Sequence, residues 1–200
     1  LQTMGAYSAT APYNCPKSAK ILRDGLAYVY TNETAGRYSF GAITLLVKPP
    51  PRILVLGAGL DAEPVVRFAA ELGWRCTVVD HRPAAIQGGD FAAAVETHCQ
   101  PAAELAATLD LDRFDAAIVM SHHLVSDRTY LGQLAGSSVG YIGLLGPGHR
   151  RERLLAELGA QAAQLEGRVH GPAGLDLGGR GPGPIALSII AEVQKTLAGR

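Results

Sequence analysis

An excess of charge of one sign is missing from this chain of 200 residues: 18 Lys and Arg stand against 18 Asp and Glu, and the sequence pI is near 7.2. A neutral chain has no global field with which to gather nucleic acid or an anionic membrane surface, so neither is an expected partner. Cysteine is scarce and odd in number, with only Cys15, Cys76 and Cys99. That pattern excludes a disulfide framework and predicts free thiols in a reducing, cytoplasmic location. No apolar run reaches the about 18 residues a membrane span needs. No charged-then-apolar signal peptide opens the chain. It begins at Leu1, as expected of a fragment or an atypical gene start. What is present is enough for a real core. Hydrophobic residues make up 48% and the mean hydropathy is +0.12, which excludes a disordered chain. With 24 Gly and 12 Pro, many tight turns are expected.

The chain changes character at Pro49-Pro50-Pro51. Residues 1–50 hold half of the aromatics and five cations (Lys17, Lys20, Arg23, Arg37, Lys48) against Asp24 and Glu33. Only residues 38–47 read as a strand there, so this N-terminal segment has an uncertain fold. From residue 51 the pattern is regular. Short apolar runs at 53–56, 76–79, 116–120 and 139–145 read as strands. Helical spacing occupies 62–72, 101–109, 127–135, 150–158 and 185–197. Strands apolar on both faces and alternating with helices predict an α/β fold, with a doubly wound, mainly parallel, Rossmann-like sheet in residues 51–200.

The sharpest local motif is Gly57-Ala58-Gly59-Leu60-Asp61-Ala62, between a strand and a helix. It fits G-x-G-x-x-G/A: Gly57 for the tight turn, Gly59 for close approach of a phosphate, and small Ala62 for helix–strand packing. Free amides at the helix start favour an anion. Asp80 ends the next strand 18 residues after Ala62, placed to accept ribose hydroxyls. His81 follows it, and Arg82 is placed to hold a second phosphate instead. Asp61 sets a negative charge where pyrophosphate would lie.

Other candidates fall at the same sheet edge. Ser121 and His122, with Asp127, follow the third strand, and His122 is placed to donate to a ligand oxygen; His123 reads as a solvated neighbour. Gly143 and Gly146 form a second glycine turn that leads into His149, Arg150 and Arg151, cations that suit an anionic ligand. Asp176, flanked by Gly174 and Gly178, either orients a ligand or makes an Asx-turn. His98-Cys99 has no second pair at ligand spacing, so no metal site is expected. No nucleophile–base pair is visible, so no catalytic residue is assigned.

The stretches PRILVLGAGLDA at 51–62, GWRCTVVDHRP at 73–83, AIVMSHHLVSD at 117–127, YIGLLGP at 141–147, GPAGLDLG at 171–178 and IALSIIAE at 185–192 resemble the C-terminal Rossmann domain of the XdhC/CoxI family, in one order and over about three quarters of the chain. These are accessory proteins that mature xanthine dehydrogenase and CO dehydrogenase. The resemblance implies a protein that binds molybdenum cofactor (molybdopterin), protects it, helps its sulfuration and delivers it. It also implies a xanthine dehydrogenase-type molybdoenzyme and a sulfur donor such as a cysteine desulfurase as partners, with a homodimer as a further expectation. Two departures stand out. The family's Thr-Pro-Glu-Glu before the last helix is replaced by Gly181-Pro182-Gly183-Pro184, and its N-terminal Cys-Gly-Gly-type motif has no counterpart around Cys15. Cys76 lies in an apolar strand, where its thiol is a poor nucleophile. The chain is therefore expected to bind and hand over cofactor rather than to transfer sulfur. The rival readings are an NAD-dependent oxidoreductase and a nucleotide-sensing regulatory module.

Overall fold

The computed structural model describes residues 49–199 and the backbone of 18–22, 25–34 and 37–44. Cys15 and the end of the expected strand, residues 45–47, lie outside the described residues. The chain divides into two compact units, Leu1–Pro49 and Pro50–Arg200. In the first, β1 (Ser18–Leu22), β2 (Gly25–Thr34) and β3 (Arg37–Thr44) form an antiparallel sheet in the order β1-β2-β3. Only β3 was expected. β2 reads GLAYVYTNET, with apolar residues at both parities, so it lacks the alternation that marks a strand with one wet face.

The second unit is a six-stranded, wholly parallel sheet in the order β6-β5-β4-β7-β8-β9. Its strands are β4 (Arg52–Leu56), β5 (Arg75–Asp80), β6 (Glu96–Cys99), β7 (Ala116–Val119), β8 (Tyr141–Leu144) and β9 (Val169–His170). The helices are α1 (Ala62–Glu71), α2 (Pro83–Gly88), α3 (Leu105–Thr108), α4 (Leu124–Ala135), α5 (Gly148–Leu158) and α6 (Pro182–Ala198). This is the expected doubly wound, Rossmann-like arrangement. The period of two in β4 shows why its strand is apolar throughout. Ile53 and Val55 pack in one layer with Val65 and Val66 of α1 and Ile189 and Val193 of α6. Leu54 and Leu56 pack in the other with Tyr130, Leu131 and Leu134 of α4 and Leu154 of α5.

The differences from the sequence reading sit where local signals are weak. β6 reads Glu-Thr-His-Cys and is largely exposed at a sheet edge, so it carries no buried-strand pattern. β9 has two residues and no measurable period. The helix expected over 101–109 is a 3-10 turn, Ala102–Glu104, followed by the single turn α3. α4 starts three residues earlier than expected because His123 caps it, its Nδ1 accepting from the Ser126 amide at 3.3 Å. α6 starts at Pro182, since proline fits a first helical turn, whose N–H groups lack helical partners anyway.

Candidate functional site

The chain leaves β4 for α1 on one face of the sheet and leaves β7 for α4 on the other. The two loops diverge at this reversal and open a crevice at the carboxyl edge, the place where such sheets take ligands. Gly57 makes the first turn possible. Its φ is +121°, its amide donates to the Val79 carbonyl at 2.8 Å, and a Cβ would lie 2.5 Å from the Met120 carbonyl oxygen. Gly59 has no such constraint. A Cβ there would meet only the His122 ring, at 3.8 Å. No hydrogen bond among the described residues uses the amides of Gly59, Leu60 or Asp61, so three adjacent donors stand at the start of α1. Leu60 projects its side chain outward, 77% exposed. Ala62 is fully buried against the core, as its small size suggested. The Asp61 carboxylate lies 3.4 Å from His122 Nε2, and His122 takes a φ of +57°, the only positive φ of a non-glycine among the described residues.

The acid that was expected to meet a ribose is spent inside the protein. Asp80 is 1% exposed. Its Oδ2 accepts from the Ala58 amide and from Arg82 Nη2, both at 2.8 Å. Its Oδ1 accepts from the Arg82 amide at 2.9 Å and from Arg82 Nε at 3.0 Å. Burial pushes the Asp80 carboxyl up, but these donors together outweigh it and hold the group at about 2. Asp80 thus ties the glycine turn to β5. Arg82 serves Asp80 rather than standing free for a second phosphate, and half-exposed His81 flanks the same carboxylate at 3.5 Å.

The second set of candidates also divides. Ser121 is buried and its hydroxyl donates to Asp127, so it does not face a ligand. Asp127 is 1% exposed and also holds Arg150, whose Nη2 and Nε donate to Oδ2 at 2.6 and 3.2 Å. The arginine expected to serve an anion is therefore neutralised, and it packs under Gly146, where a Cβ would lie 2.8 Å from Arg150 Cδ. Gly143 belongs to β8 and not to a ligand-facing turn. A Cβ there would lie 2.9 Å from the Tyr141 hydroxyl and 3.1 Å from Ala173 Cβ.

A cleft of about 670 Å³ joins four of the candidates, Asp61, His122, Gly146 and Asp176. Asp61, His122 and Gly146 line one side, and the loop 172–179, with Asp176, and the first turns of α6 line the other. The ionisable side chains of this lining are Asp61, His122 and Asp176. The start of α6 adds little for an anion. Pro182 and Pro184 have no N–H, and the Ile185 amide returns to the Gly181 carbonyl. Of the glycine turn only Asp61 lines the cleft; Gly57, Ala58, Gly59, Leu60 and Ala62 do not, nor do Asp80, His81, Arg82, Ser121 and Gly143. Sequence reasoning passed over Glu192, which anchors the loop. Its Oε2 accepts from the Gly174 amide and from the Tyr141 hydroxyl, both at 2.7 Å. The available signal was Ser188 and Glu192, a polar pair at i, i+4 in an otherwise apolar helical stretch. Among the described residues no cluster of three His, Cys, Asp or Glu is placed to hold a metal, and no helix is long and apolar enough to cross a membrane.

The family model of the XdhC Rossmann domain matches residues 53–193. The chain belongs to the XdhC family. The matched span runs from β4 into α6 and contains every candidate residue above. The chain is 33% identical over 150 residues to a Bacillus subtilis (strain 168) protein named as a probable subunit of xanthine dehydrogenase, covering 75% of this chain and 44% of that protein. It is 25% identical over 146 residues to the uncharacterized protein YqeB of Escherichia coli (strain K12), covering 72% of this chain and 27% of that one. A crystal structure described as a xanthine dehydrogenase from Bacillus halodurans superposes with a TM-score of 0.71 at 30% identity, over 80% of this chain and 48% of that one. The XdhC-family chain described here thus spans less than half the length of each of these relatives.

Proposed function

We propose that this XdhC-family domain binds molybdenum cofactor in the carboxyl-edge cleft and hands it to a xanthine dehydrogenase-type molybdoenzyme. The observation that carries the reading is the pairing of two kinds of group at one crevice. The amides of Asp61, which lines the cleft, and of Gly59 and Leu60, which precede it in the same turn, suit a phosphate. Beside them the carboxylates of Asp61 and Asp176 and the imidazole of His122 suit the N–H and oxygen edge of a polar ring. A cleft of about 670 Å³ has the capacity for a phosphorylated tricyclic heterocycle. The donor set therefore fits the group. The cofactor carries the molybdenum that the recipient enzyme uses for redox chemistry, and this chain contributes binding and orientation. The names of the two Bacillus relatives, both xanthine dehydrogenase proteins, support that recipient class.

Sulfur comes, in this reading, from a separate donor such as a cysteine desulfurase. Burial pushes the Cys76 thiol up to about 12, and Cys99 does not line the cleft. The alternative is NAD binding by an oxidoreductase or a nucleotide-sensing module, which the strand order favours. Against it stands the Asp80 carboxylate, filled by four protein donors where a ribose would need it.

Titration of the purified chain with molybdenum cofactor and, separately, with NAD tests the reading. The expected result is saturable cofactor binding that Gly59→Val abolishes, with NAD weak or silent. Tight NAD binding without cofactor binding overturns it in favour of the alternative.

A further inference from the structure

We infer that Glu192 is a positioning residue for the cleft: without touching the ligand, it fixes the loop that forms the cleft wall. The inference rests on the cleft being the binding site, as proposed above. The wall loop leaves β9 and crosses the first half of α6. Three hydrogen bonds from its backbone amides anchor it: the Ala173 amide donates to the Leu144 carbonyl of β8 at 2.9 Å and, on α6, the Leu175 amide donates to the Ser188 carbonyl at 3.1 Å and the Gly174 amide to Glu192 Oε2 at 2.7 Å. Only the last depends on a side chain. Gly174 is needed at that crossing, since its φ is +108° and a Cβ would lie 2.9 Å from Ser188 Cβ.

Glu192 is itself held in place. The buried Tyr141 hydroxyl donates to the same Oε2 at 2.7 Å, and His170 Nδ1 lies 3.3 Å from Oε1. The His170 ring stacks on Tyr141 with centroids 4.5 Å apart. The space for the Tyr141 hydroxyl exists because Gly143 has no side chain. β8, β9 and α6 therefore converge on one carboxylate, and that carboxylate grips the loop bearing Asp176. A side chain with no acceptor at 192 leaves a half-buried amide and a buried hydroxyl unpaired, and the amide satisfies itself by moving the loop toward water.

The experiment compares Glu192→Met, Glu192→Gln and Tyr141→Phe with the parent chain. Amide hydrogen exchange of the peptide covering 171–181 and affinity for molybdenum cofactor are measured together. The Met variant, folded by its unfolding transition, is expected to exchange that peptide about tenfold faster and to bind about tenfold more weakly, the loss of one charge-assisted hydrogen bond. The Gln variant keeps an acceptor oxygen for Gly174 and Tyr141 and is expected to restore both to within about threefold. Tyr141→Phe leaves the Gly174 bond intact and is expected to lower stability without speeding loop exchange. Should the Met variant not fold, Glu192→Ala, which adds no bulk beside Tyr141, carries the same measurement. Unchanged loop exchange in a folded variant without the acceptor overturns the inference. A parent chain that binds no cofactor overturns the proposed function instead, while the exchange data still decide the role of Glu192.

Discussion

After β4 the chain runs Gly57-Ala58-Gly59, and from within β8 it runs Gly143-Leu144-Leu145-Gly146. Both stretches end a parallel strand and lead into a helix, yet they use their glycines differently. In the first, Gly57 clears the way for the backbone of Met120 and Ser121, while the space beside Gly59 is bounded only by the His122 ring. In the second, both glycines clear space for the protein's own side chains, Tyr141 under Gly143 and Arg150 under Gly146. The acids behave likewise. Asp80 and Asp127 are each 1% exposed and each consumed by an arginine, whereas Asp61 and Asp176 line the cleft. A glycine or a carboxylate at the carboxyl edge stays available to a ligand only where the fold has not already filled it.

The sharpest way to break this contrast is Gly57→Ala. A Cβ 2.5 Å from a carbonyl oxygen, at a φ of +121°, combines overpacking with backbone strain. The expected loss is about 3 kcal/mol or more, read by denaturant unfolding. Next is Asp127→Ala, which leaves Arg150 without its partner. The cost of an orphaned buried charge, discounted because Arg150 is 21% exposed, is about 2–3 kcal/mol. The double variant with Arg150→Met is expected to recover part of it.

Asp80 gives a pH signature of somewhat smaller size. Its folded value of about 2 lies below the ordinary carboxylate range, so its contribution is fully present above pH ~4 and is lost as the pH falls toward 2. That contribution is on the order of 2 kcal/mol. Asp80→Asn is expected to lower stability at neutral pH by that order and to flatten the loss between pH 4 and 2. An unchanged acid limb would show that the Ala58 and Arg82 donors do not set this group. Gly143→Ala follows, at about 1–2 kcal/mol, since the Tyr141 ring must give by a few tenths of an ångström. Gly59→Val closes the series with the smallest stability effect, within about 1 kcal/mol, but with the largest effect on ligand binding. A Gly59→Val protein as unstable as Gly57→Ala would erase the distinction between the two glycines.

The architecture of residues 51–200 is legible in the order of residues along the chain. Apolar strands such as Ile-Leu-Val-Leu, alternating with helical periods, permit only a parallel sheet covered on both faces, and Gly57 marks the strand-to-helix turn because no side chain fits its φ. That order did not show β6 and β9, whose edge position and short length leave no burial pattern, nor the cap on α4, because a histidine side chain does there what Ser or Asp usually does. Which polar groups are left without a protein partner is settled by long-range contacts. Asp80 and Asp61 are the same residue type, both close in sequence to the expected site. Asp80 is satisfied by Ala58, 22 residues away, and by Arg82, while Asp61 lines the cleft. Glu192 anchors Gly174 from the turn of α6 after Ser188, and its partner Tyr141 is 51 residues distant. Hydrogen-bond saturation is a property of atoms brought together by the fold, and a sequence, which orders neighbours along the chain, does not contain those distances.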